Sequence, residues 1–122
     1  MIKLKIDKTK LNAIGSFCSY TCTHIGKEID KYIYRKKTFE LVQLKIQLEE
    51  MRILKRKIDI LKIRKMDMVN NKLFSFSLSP IQLLLILTYV ETFMKSTKDP
   101  YCLFVLNEQK DFLYRELLTN YI

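Results

Sequence analysis

Two cysteines and the only histidine lie within one seven-residue segment, Cys18-Ser-Tyr-Thr-Cys22-Thr-His24. Thiolates and imidazoles bind zinc, but a structural zinc site usually has four ligands, commonly a C-x2-4-C pair with a second pair. The segment has no second pair, so Cys102 would have to supply the fourth ligand. On a helix Cys18 and Cys22 share a face, whereas His24 lies well around from it. We treat these residues as candidates only, predict no metal site, and expect small buried side chains on the inner face of a helix.

Other catalytic chemistry has little to build on. A Cys–His nucleophile pair needs a third group to orient the base, and no Asn or Asp suggests itself in that role. The carboxylates stand among lysines or at the ends of predicted helices, as surface residues do. A loop that cradles phosphate needs several glycines, and Gly15 and Gly26 are the only two in the chain. We therefore predict a protein that is not an enzyme, with no cofactor and no small-molecule substrate.

The positive charge is confined to the first part of the chain. From residue 1 to 72 there are 18 Lys/Arg and 8 Asp/Glu, and from 73 to 122 there are 4 and 5, in a chain of net charge +9. Such asymmetry suggests a basic face beside a near-neutral packing region. The partner of that face would be a phosphate backbone, an acidic protein or anionic headgroups. The many Lys and Ile residues also fit coding by an AT-rich genome, and phage or mobile-element proteins often have this composition.

The basic residues form two clusters. The first basic cluster interleaves tyrosines with cations and consists of Lys31, Tyr32, Tyr34, Arg35, Lys36 and Lys37. The second basic cluster consists of Arg52, Lys55, Arg56, Lys57, Lys62, Arg64 and Lys65. Aromatic rings beside cations can stack on bases while the cations neutralise phosphates. No recognised DNA- or RNA-binding motif accompanies them, and a charged run on a long helix is commonly a solvated face. Both interpretations remain open.

Two short segments, 2–6 and 74–78, alternate apolar with polar residues, as half-buried strands do. Either they pair as a small ribbon on the helices or they form two arms that never meet. Helical spacing predicts four helices. They cover Lys8 or Leu11 to Arg35 with a division at Gly26, 38–68 ending near Asn70-Asn71, 80–95, and 101–121. Ser79-Pro80 is a strong start signal, because serine caps helices and proline fits the first helical position.

The helix predicted over 38–68 carries two lines of apolar residues. The first stripe follows 3-4 spacing and consists of Met51, Leu54, Ile58, Leu61 and Met68. The second stripe consists of Phe39, Val42, Ile46, Ile53, Ile60 and Ile63. Two stripes mean that the helix is contacted on two sides. Either neighbouring helices of the same chain cover both, or one stripe docks a second copy or a partner protein. We assign the interface to the first stripe.

Together these patterns predict a single domain over residues 1–122 that is mainly α, with about four helices, one of them a long central basic helix, and an accessory strand pair. Its core would lie where the 80–95 helix packs on the 101–121 helix and the long helix. The odd number of cysteines, the lack of a signal peptide and an apolar run of only ten residues at 81–90 predict a soluble protein of the reducing cytoplasm. The leading hypothesis is a non-enzymatic assembly or adaptor protein that self-associates. The alternative is a small basic accessory protein that binds DNA or RNA.

Overall fold

The computed structural model describes residues 2–69 and 72–121 of the protein. Within them the elements in chain order are β1 (Ile2–Ile6), α1 (Lys8–Tyr34), α2 (Thr38–Arg64), β2 (Phe74–Leu78), α3 (Pro80–Ser96) and α4 (Pro100–Tyr121). Of the described residues 79% are helical, and the two strands among them form one antiparallel sheet. The predicted mainly α fold with a minor strand pair is therefore confirmed.

The two alternating segments pair with each other, which settles the question that the sequence left open. Leu4 lies opposite Phe76 in the antiparallel register, and Lys5 lies opposite Ser75. The apolar residues face inward and the polar ones outward, and on the outer face Lys5 Nζ donates to Ser75 Oγ at 3.1 Å. The inner face of this ribbon belongs to the protein's core through Leu4, Ile6, Phe74, Phe76 and Leu78.

Helix α1 is continuous from Lys8 to Tyr34, so Gly26 does not divide it. Its first turn is capped by the Asp7 carboxylate, which accepts from the backbone N–H of Lys10 at 2.8 Å. α1 contacts α2, α3, α4 and β1. Helix α1 therefore packs against most of the fold, together with α2, its main neighbour. The buried residues of α1 are spread along most of its length, whereas those of α2 lie between Met51 and Ile58.

A three-residue turn joins α1 to α2 and makes them an antiparallel hairpin. Lys36 adopts the left-handed conformation (φ 56°), and its N–H donates to the carbonyl of Ile33 at 3.2 Å. The N–H of Lys37 donates to the carbonyl of Tyr32 at the same distance. These two bonds form a Schellman motif, which usually has glycine in the left-handed position. Helix α2 ends at Arg64, four residues before the predicted Met68, and Asn70-Asn71 lies outside the described residues.

Helix α3 begins as predicted at Pro80. The Ser79 side chain accepts from the N–H of Gln82, and the Gln82 side chain accepts from the N–H of Ser79, which completes a capping box. Ile81 and Leu84 are exposed, so α3 leaves part of its apolar surface to solvent. Its other apolar residues join α1, α2, α4 and the ribbon in one core.

Candidate protein–protein interface

The first stripe faces the interior of the chain. Met51, Leu54 and Ile58 are completely buried, and Leu61 and Met68 are half-buried against the core. These side chains pack on the chain's own core, and the three that are completely buried present no surface to another molecule. Assigning the interface to the first stripe is therefore corrected: the first stripe is the side of α2 that holds the monomer together.

The second stripe faces solvent along the whole of α2. Its six apolar side chains are between 40% and 72% exposed. Beside it lies a shallow groove of about 350 Å³, lined by the α2 residues Ile53, Arg56, Lys57, Ile60, Leu61 and Arg64. An exposed apolar line of this length on a helix is a characteristic of docking surfaces.

Two charged residues interrupt the second stripe. Starting from Phe39, the 3-4 spacing places Glu49 and Arg56 at stripe positions. Both are exposed, and neither forms an ion pair with another side chain of the described residues. The interruption was visible in the sequence and favours the solvent side, because two charges within α2 would be costly to bury, whereas the first stripe is interrupted only by Lys65 just after the end of α2.

The structure divides the second basic cluster among different surroundings. Lys57 Nζ lies 5.0 Å from the centroid of the Phe76 ring and donates to the carbonyl of Ser77, and partial burial lowers the pKa of its ammonium group. Lys65 Nζ lies 5.4 Å from the centroid of the Phe74 ring. These two lysines are cation–π partners of the ribbon.

The remaining members of the second basic cluster do not share one face either. Lys55 forms an ion pair with Asp59 at 3.4 Å, and Lys62 extends over α1 at Gly15. Arg52, Arg56 and Arg64 are exposed. Polyanion binding by the second basic cluster therefore stays a prediction, with these three arginines as its most exposed members.

The first basic cluster stays together at the tip of the α1–α2 hairpin. Every residue from 33 to 39 is exposed, and Tyr34 is 91% exposed. Tyr32 is half-buried, and Lys31 forms an ion pair with Glu28 at 3.4 Å. Helix α3 contacts the hairpin lower down, where the Tyr89 hydroxyl donates to Gln47 Oε1 at 2.5 Å.

The cysteine–histidine segment lies inside α1 as predicted, but its three side chains have different neighbours. Cys18 is buried, and burial raises the pKa of its thiol far above the ordinary value. Cys22 is half-buried, also with a raised pKa. The His24 ring stacks on Tyr20, with centroids 5.9 Å apart. No three His, Cys, Asp or Glu side chains of residues 2–69 and 72–121 gather as metal ligands would, and Cys102 lies apart on α4.

None of the described helices is both long enough and apolar enough to cross a membrane. No protein-family model matches the chain, and no curated protein or solved structure matches it either. The function is therefore inferred from the surfaces of this molecule alone.

Proposed function

We propose that this protein is a non-enzymatic assembly protein that associates with a second copy of itself through the second stripe of α2. The observation that carries the proposal is the exposure of six apolar side chains at 3-4 spacing along 27 helical residues. A helix with this spacing needs a partner with the same spacing to interdigitate with it. A second copy of α2 is a partner for which that match is guaranteed.

Burial of the second stripe limits the affinity of the dimer. Fully burying an aliphatic or aromatic side chain contributes about 1.5–3 kcal/mol, so covering the half that is still exposed contributes roughly 1 kcal/mol. Twelve such side chains in two copies give roughly 12 kcal/mol, against an association cost of at least about 4 kcal/mol. The surplus is at most about 8 kcal/mol, so the tightest dissociation constant that this burial allows is micromolar.

The proposal also includes a reducing compartment, such as the cytoplasm. Cys18 and Cys22 stand one helical turn apart as free thiols, and Cys102 is free as well. A secreted domain of this size would more often use its cysteines in disulfides. The proposal assigns no catalytic step to the chain.

Light scattering on a sizing column tests self-association, at about 100 µM protein and about 0.5 M salt, where phosphate contacts are largely screened. We expect about twice the chain mass of 14.7 kDa. Ile46→Lys should give a monomer, because it places an ammonium group in the second stripe. Leu84→Lys is the matched control, since Leu84 on α3 is 56% exposed and Ile46 is 53% exposed. A monomeric parent protein, or loss of the dimer in the control alone, would contradict the proposal.

A second candidate function is binding of a nucleic acid at the hairpin tip, and the conformation of Lys36 favours it. A left-handed residue other than glycine costs about 1 kcal/mol or more, yet the turn holds a lysine. That cost is understandable if the cation at this position is needed. Beside it stand the exposed Arg35 and Lys37 and the ring of Tyr34, which is free to stack on a base.

Lys36→Gly tests this alternative because stability and binding should move in opposite directions. The variant should be more stable by about 1 kcal/mol in urea unfolding and should bind a fluorescent single-stranded DNA 20-mer more weakly. The slope of log K against log salt should fall by about one unit. Binding that keeps its affinity and salt slope in this variant would exclude the tip as the site.

A further inference from the structure

We infer that the two copies pair antiparallel, with Glu49 of each copy beside Arg56 of the other near the middle of α2. This inference rests on the proposed self-association and adds the orientation, the register and the residues that determine them. It makes Glu49 and Arg56 specificity-determining residues of the interface.

The second stripe is a heptad seam four repeats long. Phe39, Ile46, Ile53 and Ile60 occupy one core position, and Val42, Glu49, Arg56 and Ile63 occupy the other. All eight side chains are exposed in the monomer. A polar residue at a core position of a coiled coil costs stability and in return specifies orientation and register. Here the two polar positions carry opposite charges.

Charge selects the antiparallel orientation. In a parallel pair the same positions face each other, so Glu49 would meet Glu49 and Arg56 would meet Arg56 in two core layers. Within one helix these two residues cannot pair, because seven residues correspond to about 10.5 Å along the axis. In an antiparallel pair, each carboxylate comes within reach of the guanidinium of the other copy. Symmetry makes two such contacts.

Length selects the register. Helix α2 runs from Thr38 to Arg64, so its centre is residue 51. If the two-fold axis passes that centre, the helices overlap completely and every seam position has a partner. The layers are then Phe39 with Ile63, Val42 with Ile60, Ile46 with Arg56, and Glu49 with Ile53. In this register Glu49 and Arg56 of the other copy differ by three residues in height, about 4.5 Å.

The surroundings of the charges suit this arrangement. Arg56 lines the groove beside the second stripe together with Ile53 and Ile60. The stems of Glu49 and Arg56 would cover apolar side chains of the other copy while their charged ends meet at the edge of the seam. A shift by one heptad in one direction keeps the charges near each other but leaves Phe39 and Val42 without partners. A shift in the other direction separates the charges by about 15 Å and leaves Ile60 and Ile63 without partners.

Distances between spin labels on the two copies test orientation and register together. The labels go on Gln43→Cys and, separately, on Arg64→Cys, both exposed, in a Cys22→Ser background with Cys18 and Cys102 left in the core. The inferred dimer predicts about 25 Å at position 43 and about 40 Å at position 64. A parallel dimer predicts about 10 Å at both positions. A shift by one heptad changes the two distances by about 10 Å in opposite directions.

Charge reversal tests the pair itself. Glu49→Arg or Arg56→Glu alone should raise the dimer's dissociation constant about tenfold, because two attractive contacts become repulsive. The double variant should return to within about twofold of the parent. Asp30→Arg, on the exposed side of α1, is the control and should change nothing.

The outcomes separate this inference from the function on which it rests. A monomeric parent protein overturns self-association itself. A dimer with both label distances near 10 Å would overturn the antiparallel pairing while self-association stands. A dimer whose dissociation constant is unchanged by either single charge reversal would have the same meaning.

Discussion

Shortening one side chain on each face of α2 should separate folding from assembly. Leu54 is completely buried, and removing the equivalent of three buried carbons leaves a cavity, so Leu54→Ala should cost about 3–5 kcal/mol of unfolding free energy. Ile46 is 53% exposed, so Ile46→Ala removes only about 1 kcal/mol of burial in the monomer. Alanine's better helix propensity returns about 0.4 kcal/mol of that. The net loss should be below about 1 kcal/mol.

For association of the two copies the order of the two effects reverses, and Ile46→Ala should have the larger one. Ile46→Ala removes the remaining half of that side chain's burial in both copies, about 2 kcal/mol in total, so the dissociation constant should rise about thirtyfold. Urea unfolding followed by circular dichroism measures the first quantity, at about 1 µM protein so that association adds little to the free energy. Sedimentation equilibrium measures the second.

Two results would refute this reasoning. One is a loss below about 1 kcal/mol in Leu54→Ala, and the other is a monomer destabilised by Ile46→Ala as strongly as by Leu54→Ala. A domain of this size has only about 5–15 kcal/mol of stability, so Ile58→Val, which should cost about 0.5–1.5 kcal/mol, is the milder probe of the first stripe.

Three further substitutions or measurements test local features of α1. Gly26→Ala should raise the unfolding free energy by about 1 kcal/mol, because an added Cβ meets nothing within 4 Å. Gly15→Ala should raise it little, because its Cβ would lie 3.3 Å from Ile58 Cγ2. The urea midpoints of the two variants compare these effects. Thr21→Val should raise the unfolding free energy by about 1 kcal/mol, because the buried Thr21 hydroxyl has no hydrogen-bond partner within the described part of the chain; equal stability of the two proteins would argue against an unsatisfied hydroxyl. Burial raises the pKa of the Cys18 thiol above its ordinary value of 9.0, so its contribution to stability is present below about pH 9 and is lost above it as the unfolded thiol ionises. A thiol reagent at pH 8 should leave Cys18 unmodified in the folded protein and modify it in urea.

The local signals of the sequence were sufficient for most of the elements. Ser79-Pro80 predicts the start of α3 because a hydroxyl cap and a proline at the first position act within one turn. The alternation at 2–6 and 74–78 predicts strands because it reflects burial of one face. The pairing of these strands and the end of α2 at Arg64 depend on where the chain must turn to reach the ribbon. A short window of sequence does not contain that information.

The spacing of the apolar residues did not show which of the two stripes of α2 is buried. Both have 3-4 spacing, and spacing alone does not say which one the rest of the chain covers. The second stripe is interrupted twice within α2, by Glu49 and Arg56, and the first only by Lys65 just after the end of α2, so the charges favour the second stripe as the surface side. The sequence also did not predict the Schellman turn at Lys36, because this left-handed position holds lysine instead of the usual glycine.

The ribbon of β1 and β2 implies an order of folding during synthesis. Ile2 lies opposite Leu78, so β1 has no partner until β2, more than seventy residues later in the chain, has been made. The α1–α2 hairpin consists of local contacts and can form in that interval, whereas contacts between distant residues form slowly. Meanwhile β1 exposes an unpaired edge, and its lysines at positions 3 and 5 are the kind of charge that keeps such an edge from joining other chains. Strand β1 is thus made before the α1–α2 hairpin and reaches its native place after it.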